Sequence, residues 1–190
     1  LKATFQKQQI EIRRTDIVGP KAGERLRVSG FQAMAWALLG IMIYVGLRFD
    51  FKYAPGAIVA LFHDVFIILG LFALTGKEFS LQIVGALLAV IGYSVNDTVV
   101  VYDRVRENEE RFGHGDIHKS INTALNEALS RTLLTSTTTL IVSLVMFFTG
   151  GGVIHDFFFA ITAGVLIGTY SSIFVAAPST IFFDRFQSAK

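Results

Sequence analysis

The sequence predicts an all-α membrane protein, a bundle of five transmembrane helices, and three observations carry that prediction. Hydrophobic residues fill 52% of the 190 positions and 18 of them are Phe. The mean hydropathy is +0.54, far above that of an average soluble domain. The apolar residues are gathered into five runs, at 30–47, 57–75, 79–101, 132–149 and 157–183, and each reaches the roughly 17–25 residues that cross the hydrocarbon core as a helix. The breaks fall between the runs: Asp50, Lys52 and Pro55, then Gly76-Lys77-Glu78, then Gly150-Gly151-Gly152. Lipid offers no partner to a backbone N–H or C=O, so a spanning run must be helical.

Residues 1–29 differ in kind. They are polar and hold seven Lys or Arg. The alternation Gln9-Ile10-Glu11-Ile12-Arg13 predicts a half-buried strand, closed by Val18-Gly19-Pro20. Residues 21–29 read as a short helix on the membrane surface, with Leu26 and Val28 dipping in. The segment reads as the end of an extracytoplasmic domain, and a start at Leu1 inside a polar stretch predicts more sequence upstream. No cysteine is present, which excludes disulfides, thiol catalysis and Cys-ligated metals. A net charge of +2 with dispersed basic residues gives no footprint for nucleic acid.

Loop charge sets the expected orientation. Arg48, Lys52, Arg104, Arg106, Arg111, Lys119, Arg131, Arg185 and Lys190 lie on one side, and only Lys77 in the short loops opposite. By the inside-positive bias, residues 102–131 and the tail 185–190 are cytoplasmic. The basic residues of 1–29 then lie outside, which a translocated domain tolerates. Within 102–131 the third helix runs on past the membrane, through Val101, Val105 and Phe112, until Gly113 and Gly115. Asp116 then caps an amphipathic helix with Ile117, Ile121, Ala124, Leu125 and Ala128 on one side, expected to lie along the interface up to Arg131. His114 and His118 read as solvated surface residues.

Two runs carry packing signatures and one carries hydroxyls. Ala160, Gly164, Gly168, Ser172 and Ala176 place a small residue at every fourth position, a groove for close helix approach. Gly85 and Ala89, leading to Tyr93 and Asp97, repeat the pattern more weakly. Thr132, Thr135, Ser136, Thr137, Thr138 and Thr139 crowd the start of the fourth run. Such hydroxyls often bond their own helix, but their density points to a wet or hydrogen-bonded interior face.

The chemistry concentrates in Asn96 and Asp97, side by side within the third run. A carboxylate there costs about 2.5–3.5 kcal/mol even on insertion scales, so it faces protein or water. Such a group can take up and release a proton as its surroundings change; the alternative is a hydrogen-bonding pair that only holds helices together. At 1.5 Å rise per residue, Asp97 lies about 6 Å inside the inner end of its run, and Thr135 one turn deeper than Arg131 on the fourth. His63 and Asp64 lie about 10–12 Å from the inner end of the second. All fall in one slab. An Arg near a buried Asp favours the charged carboxylate, desolvation the protonated one, and a small rearrangement tips that balance. Arg131 also fits an ordinary inside-positive anchor, and Asp64 a carboxylate near the interface with a water-exposed role. No further ligands accompany His63 and Asp64 to complete a zinc site.

The stretch Ile91 to Asn108, IGYSVNDTVVVYDRVREN, resembles the signature of the SecF family, the smaller partner of the SecD/SecF protein-export pair. Arg13 to Gly23 (RRTDIVGPKAG), Ala60 to Val65 (ALFHDV) and Ser130 to Thr139 (SRTLLTSTTT) agree with it, in the family's order and over nearly the whole chain. The resemblance implies a membrane fold similar to the RND exporters. It implies use of the proton gradient across the bacterial or archaeal inner membrane, with sodium as the alternative ion, to drive late steps of preprotein export. The implied partners are SecD, the SecYEG translocon with its accessory subunits, the translocating preprotein and membrane lipid. The family's proton-responsive aspartate falls on Asp97 and its essential arginine on Arg131, with Asn96, Thr135 and Asp64 as supporting polar groups. The family pattern has a further spanning helix and an extracytoplasmic domain before Arg13. A proton-coupled small-molecule exporter of the RND class, or a non-transporting assembly subunit, would share these residues. No nucleophile–base pair and no phosphate loop suggests an enzyme, and no cofactor is expected.

Overall fold

The apolar runs become helices in the computed structural model, which describes residues 20–48, 53–112 and 117–188. These are α1 (Pro20–Arg48), α2 (Ala54–Thr75), α3 (Leu81–Phe112), α4 (Ile117–Thr149) and α5 (Val153–Ser171). A π-turn at Ser172–Ala176 then carries α5 without a break into α6 (Ala177–Ser188). There is no strand among the described residues. Five helical rods, counting α5 to α6 as one, are long and apolar enough to cross a membrane.

Their ends follow local chemistry. Pro55 sits in the first turn of α2, where its missing N–H would have had no helical partner. Gly76 ends the same helix at φ 65°, and Lys77 N–H reaches Phe72 O at 3.1 Å; that left-handed turn suits glycine. Lys77 then pairs with Asp156 in the first turn of α5 and lies 5.2 Å above the Phe159 ring. This ties the two short connections together at one end of the bundle.

Two expected boundaries are absent. Residues 21–29 are no separate surface helix, because α1 runs unbroken from Pro20. Lys, Arg, Glu and Leu are good helix formers, and nothing there stops propagation. The segment 102–131 is no loop either: α3 continues to Phe112 and the amphipathic stretch is the first part of α4. Its Ile121, Ala124 and Ala128 do not turn toward an interface but pack against Val101, Tyr102 and Val105 of α3. The long hairpin buries both apolar stripes against each other, which a helix along the interface would not do. His118 is exposed. The strand at Gln9–Arg13, the cap at Asp116, the glycines at 113 and 115, and His114 lie outside the described residues.

The core is divided. One apolar cluster, including Ile68, Phe72, Leu87 and Val90, fills the end near Gly76. Another, including Tyr53, Ala57, Val105 and Ala124, fills the end near Tyr53. Between them runs a layer of fully buried polar side chains from three helices: Asp64, Ser94, Thr98, Ser171 and Ser172.

The small-residue groove builds that layer, and its partner is α3. A Cβ on Gly164 would lie 2.2 Å from Val90 Cγ2, and one on Gly168 would lie 3.1 Å from Ser94 Cβ. Farther along, Thr98 meets Ser172 at 3.0 Å and Tyr102 O–H donates to Ala176 O at 3.2 Å. The four contacts advance in steps of four residues on both helices, so α3 and α5 run parallel at close range. The weaker stripe on α3 is not part of this contact. Gly85 and Ala89 are exposed, and Gly85 has no neighbour within 4 Å of where its Cβ would be.

Candidate functional site

Asp64 occupies the middle of the polar layer. On α2 the stripe Ala57, Ala60, Leu61, Asp64, Ile68, Phe72 has helical spacing and is buried throughout. Asp64 therefore points inward with the core residues and is 0% exposed. Its Oδ2 accepts from Ser94 Oγ of α3 at 2.6 Å and from Ser171 Oγ of α5 at 2.8 Å. Its Oδ1 lies 3.0 Å from Nδ1 of His63, whose ring stacks on Tyr170. The water-exposed position expected from depth alone is thus overturned. Close approach of α5 along its glycines closes the carboxylate in.

Asp97 stands one turn farther along α3 from Ser94. It too is buried, 3% exposed, yet its Oδ2 has no hydrogen-bond partner among the described residues. Tyr93 O–H donates to Ser136 Oγ at 3.1 Å, which sets the antiparallel register of α3 and α4. Four residues on, Asp97 stands level with Thr132, whose Oγ1 is likewise buried and unpartnered. The neighbouring Arg131, next to Thr132 on α4, is exposed and forms no ion pair with Asp97 among the described residues. Unpaired buried polar atoms are uncommon and costly. Two of them at one level, beside a cation, form a place where a proton, a water or a partner's polar group would be held.

The supporting residues divide. Asp64 is joined to the helix of Asp97 through Ser94. Asn96 is not brought to the site; it is exposed, about a quarter-turn away on α3. Thr135 is half-buried and its hydroxyl donates to Arg131 O and Thr132 O of its own helix, at 3.1 and 3.0 Å. Thr138 and Thr139 bond back in the same way, so the hydroxyl-rich stretch does not form the expected polar interior face. In lipid the carbonyl one turn back is the nearest acceptor, and a Thr hydroxyl takes it. Ser136 alone of that group crosses helices, to Tyr93 and, at 2.6 Å, to Thr169. Four polar residues escaped notice as members of the site: Ser94, Thr98, Ser171 and Ser172 (the last read only as a small packing residue). The i, i+3, i+4 spacing of Ser94, Asp97 and Thr98, and two adjacent serines in an apolar helix, were the available signals. No group of three or more His, Asp or Glu among the described residues is placed to hold a metal.

Comparison with known proteins agrees with this architecture. Residues 1–185 match the family described as protein export membrane protein SecD/SecF, C-terminal. The chain is 46% identical over 176 residues to a protein translocase subunit SecF of Rickettsia typhi, covering 92% of this chain and 57% of that one. It is 48% identical over 184 residues to the SecF subunit of Magnetococcus marinus, covering 97% and 59%. It thus spans a little over half the length of these relatives. Among solved structures it superimposes on SecDF of Thermus thermophilus, a translocon-associated membrane protein, with a TM-score of 0.84 at 42% identity, over 88% of this chain and 23% of that one. A second SecDF crystal structure, in a super-membrane-facing form, gives 0.81 at 39% identity. With the family match running over almost its entire length and SecF subunits as its curated relatives, the chain belongs to the SecD/SecF family of protein-export membrane proteins, on the SecF side.

Proposed function

We propose that this chain is the membrane-embedded, proton-coupled portion of a SecF subunit, which works with SecD beside the SecYEG channel to drive late steps of preprotein export. The observation that carries the reading is Asp97: a carboxylate buried at membrane depth with one oxygen unpartnered, level with the equally unpartnered Thr132 next to Arg131 on α4. Asp97 is the proton acceptor and Arg131 its charge partner, with the proton rather than sodium as coupling ion. The basic loops and the C-terminus face the cytoplasm of a cell whose inner membrane holds the protein. A change of charge on one such group is enough to work with, since a proton moving down the membrane potential releases about 2.3 kcal/mol per 100 mV.

The exposed side of α3 supports SecD as the neighbour. Gly85, Ala89, Gly92 and Asn96 share that side and are all exposed. Small residues admit a second helix closely, and an amide at membrane depth needs a polar partner there. A spanning helix of SecD laid on this face would satisfy Asn96 and cover the level of Asp97. The test is reconstitution of the full subunit with SecD in vesicles. Asp97→Asn should assemble yet lose gradient-driven export, and Asn96→Leu should weaken recovery of SecD. Full export by Asp97→Asn would leave Asp97 as a helix contact only.

A further inference from the structure

Among the described residues three buried side-chain oxygens lack a hydrogen-bond partner: Asp97 Oδ2, Thr132 Oγ1 and Thr162 Oγ1. The first two belong to the site already described. Thr162 does not, and its place on α5 says what it faces. It lies seven residues, two turns, before Thr169 and so shares that residue's side of the helix, the side that meets Ser136 of α4 at 2.6 Å. Seven residues beyond Ser136 comes Ser143, which is 1% exposed. The rings of Phe147 and His155 stack at 4.4 Å, so α4 and α5 run antiparallel. Ser143 and Thr162 therefore stand at one level, about 10 Å from Ser136 and Thr169. On α3 the residue seven before Tyr93 is Ala86, fully buried and small.

The seam between α3, α4 and α5 thus carries a polar level about every 6 to 10 Å. Asp97 and Thr132 form the first. Tyr93, Ser136 and Thr169 form the second, joined by hydrogen bonds of 3.1 and 2.6 Å. Ser143 and Thr162 form the third. At the end near Gly76, extracytoplasmic on the reading above, His155 lies 3.1 Å from Asp156, and Asp156 pairs with Lys77. A cavity of about 560 Å³, walled in part by Ser136, Thr169, Leu140 and Val165, gives room beside the apolar stretch between the second and third levels. A helix contact gains nothing from a buried hydroxyl left without a partner, because its lost hydration is not made good. A proton path does use such groups. We propose that this seam carries a proton from the outer face to Asp97, with Thr162, then Thr169, Ser136 and Tyr93, then Thr132 as relay hydroxyls. Each accepts a proton on a lone pair and passes its own to the next oxygen, with water bridging the longer gaps. Only O–H bonds form and break, no hydroxyl keeps a charge, and the proton ends on Oδ2 of Asp97. This rests on the proton-coupled reading above and adds the route.

Thr162→Val and Thr132→Val test the route without disturbing the fold, because each replaces a hydroxyl that bonds nothing with a methyl of nearly the same size. In vesicles containing the full subunit with SecD, both variants should melt at or above the parent's temperature. Both should lower gradient-driven proton flux by about tenfold or more. Thr162→Ser, which keeps the hydroxyl, should retain the flux. Thr138→Val, at an exposed hydroxyl that bonds only its own helix, should leave it unchanged. Parent-like flux in Thr162→Val overturns the proposal, and so does a flux loss that comes with a lower melting temperature or that Thr162→Ser shares. A loss in Thr132→Val alone also overturns it, leaving a polar contact at Asp97 and no route through the outer half. The coupling role of Asp97 fails on a different result, normal flux in Asp97→Asn. Lost flux there with parent-like flux in Thr162→Val would sink the route alone.

Discussion

Asp64 and Asp97 are two carboxylates buried in the same polar layer, one turn apart through Ser94, and they are treated in opposite ways. Asp64 is fully enclosed and its oxygens are engaged from α2, α3 and α5. Asp97 is almost as buried but leaves an oxygen without a partner, on the side of α3 that faces α4 and the exposed Arg131. A fully bonded carboxylate holds helices in one arrangement, because every donor around it would be stranded by a change. One with a vacant oxygen has less to lose on gaining or losing a proton. On the function proposed above, the first fastens and the second changes charge, although both are aspartates at similar depth in apolar helices.

The largest effect expected of that division is on Asp64→Leu. It strands the hydroxyl of Ser94, at about 1–3 kcal/mol for a buried group left unpaired, and leaves Ser171 only Gly168 O of its own helix, at 3.1 Å. Thermal unfolding of the complex should shift strongly downward; a melting temperature equal to the parent's would break the comparison at its fastened end. Next comes Gly164→Leu, which drives a side chain into Val90 and should cost about 1–3 kcal/mol or more by overpacking. Its melting temperature should fall even without SecD, because the groove is filled from within this chain. A loss seen only in SecD recovery would place the groove's partner outside.

The two helix surfaces involved were not equally legible in the sequence. Apolar run length revealed the five rods, because lipid forces helix on any such run. The four-residue repeat from Ala160 to Ala176 announced a close contact, because only small residues permit one. Which helix would fill that groove depends on the offset between α3 and α5, and no single run contains it. Depth along a helix said that Asp64 and Asp97 share a level, but depth carries no azimuth. The inward direction of Asp64 was readable only from its stripe with Ala57, Leu61 and Ile68, and its closure from α5 not at all. The threonines misled because a hydroxyl that bonds its own helix looks the same in sequence as one that crosses. The π-turn at Ser172–Ala176 had one local signal, Pro178, which offers no N–H to the carbonyl of Phe174 and crowds it.

Smaller effects sharpen the distinction on α4. Ser136→Ala removes a hydroxyl shared with Tyr93 and Thr169 and should cost about 1 kcal/mol. Thr138→Val removes one that bonds only its own helix and should stay within about 0.5 kcal/mol of the parent. Parallel melting curves of the two variants check this. Equal losses would mean that Thr138 also faces a partner, contrary to its exposed position here.

The central claim is that Asp97 changes charge while Asp64 holds. Proton flux under an imposed gradient, measured in vesicles containing the full subunit with SecD, tests it most directly with Asp97→Asn, which keeps the shape of the site and removes its charge. The account predicts normal assembly, an unshifted melting temperature and no proton flux above empty vesicles. Flux and export equal to the parent's would contradict it, and would leave Asp97, like Asp64, as a fastening between helices.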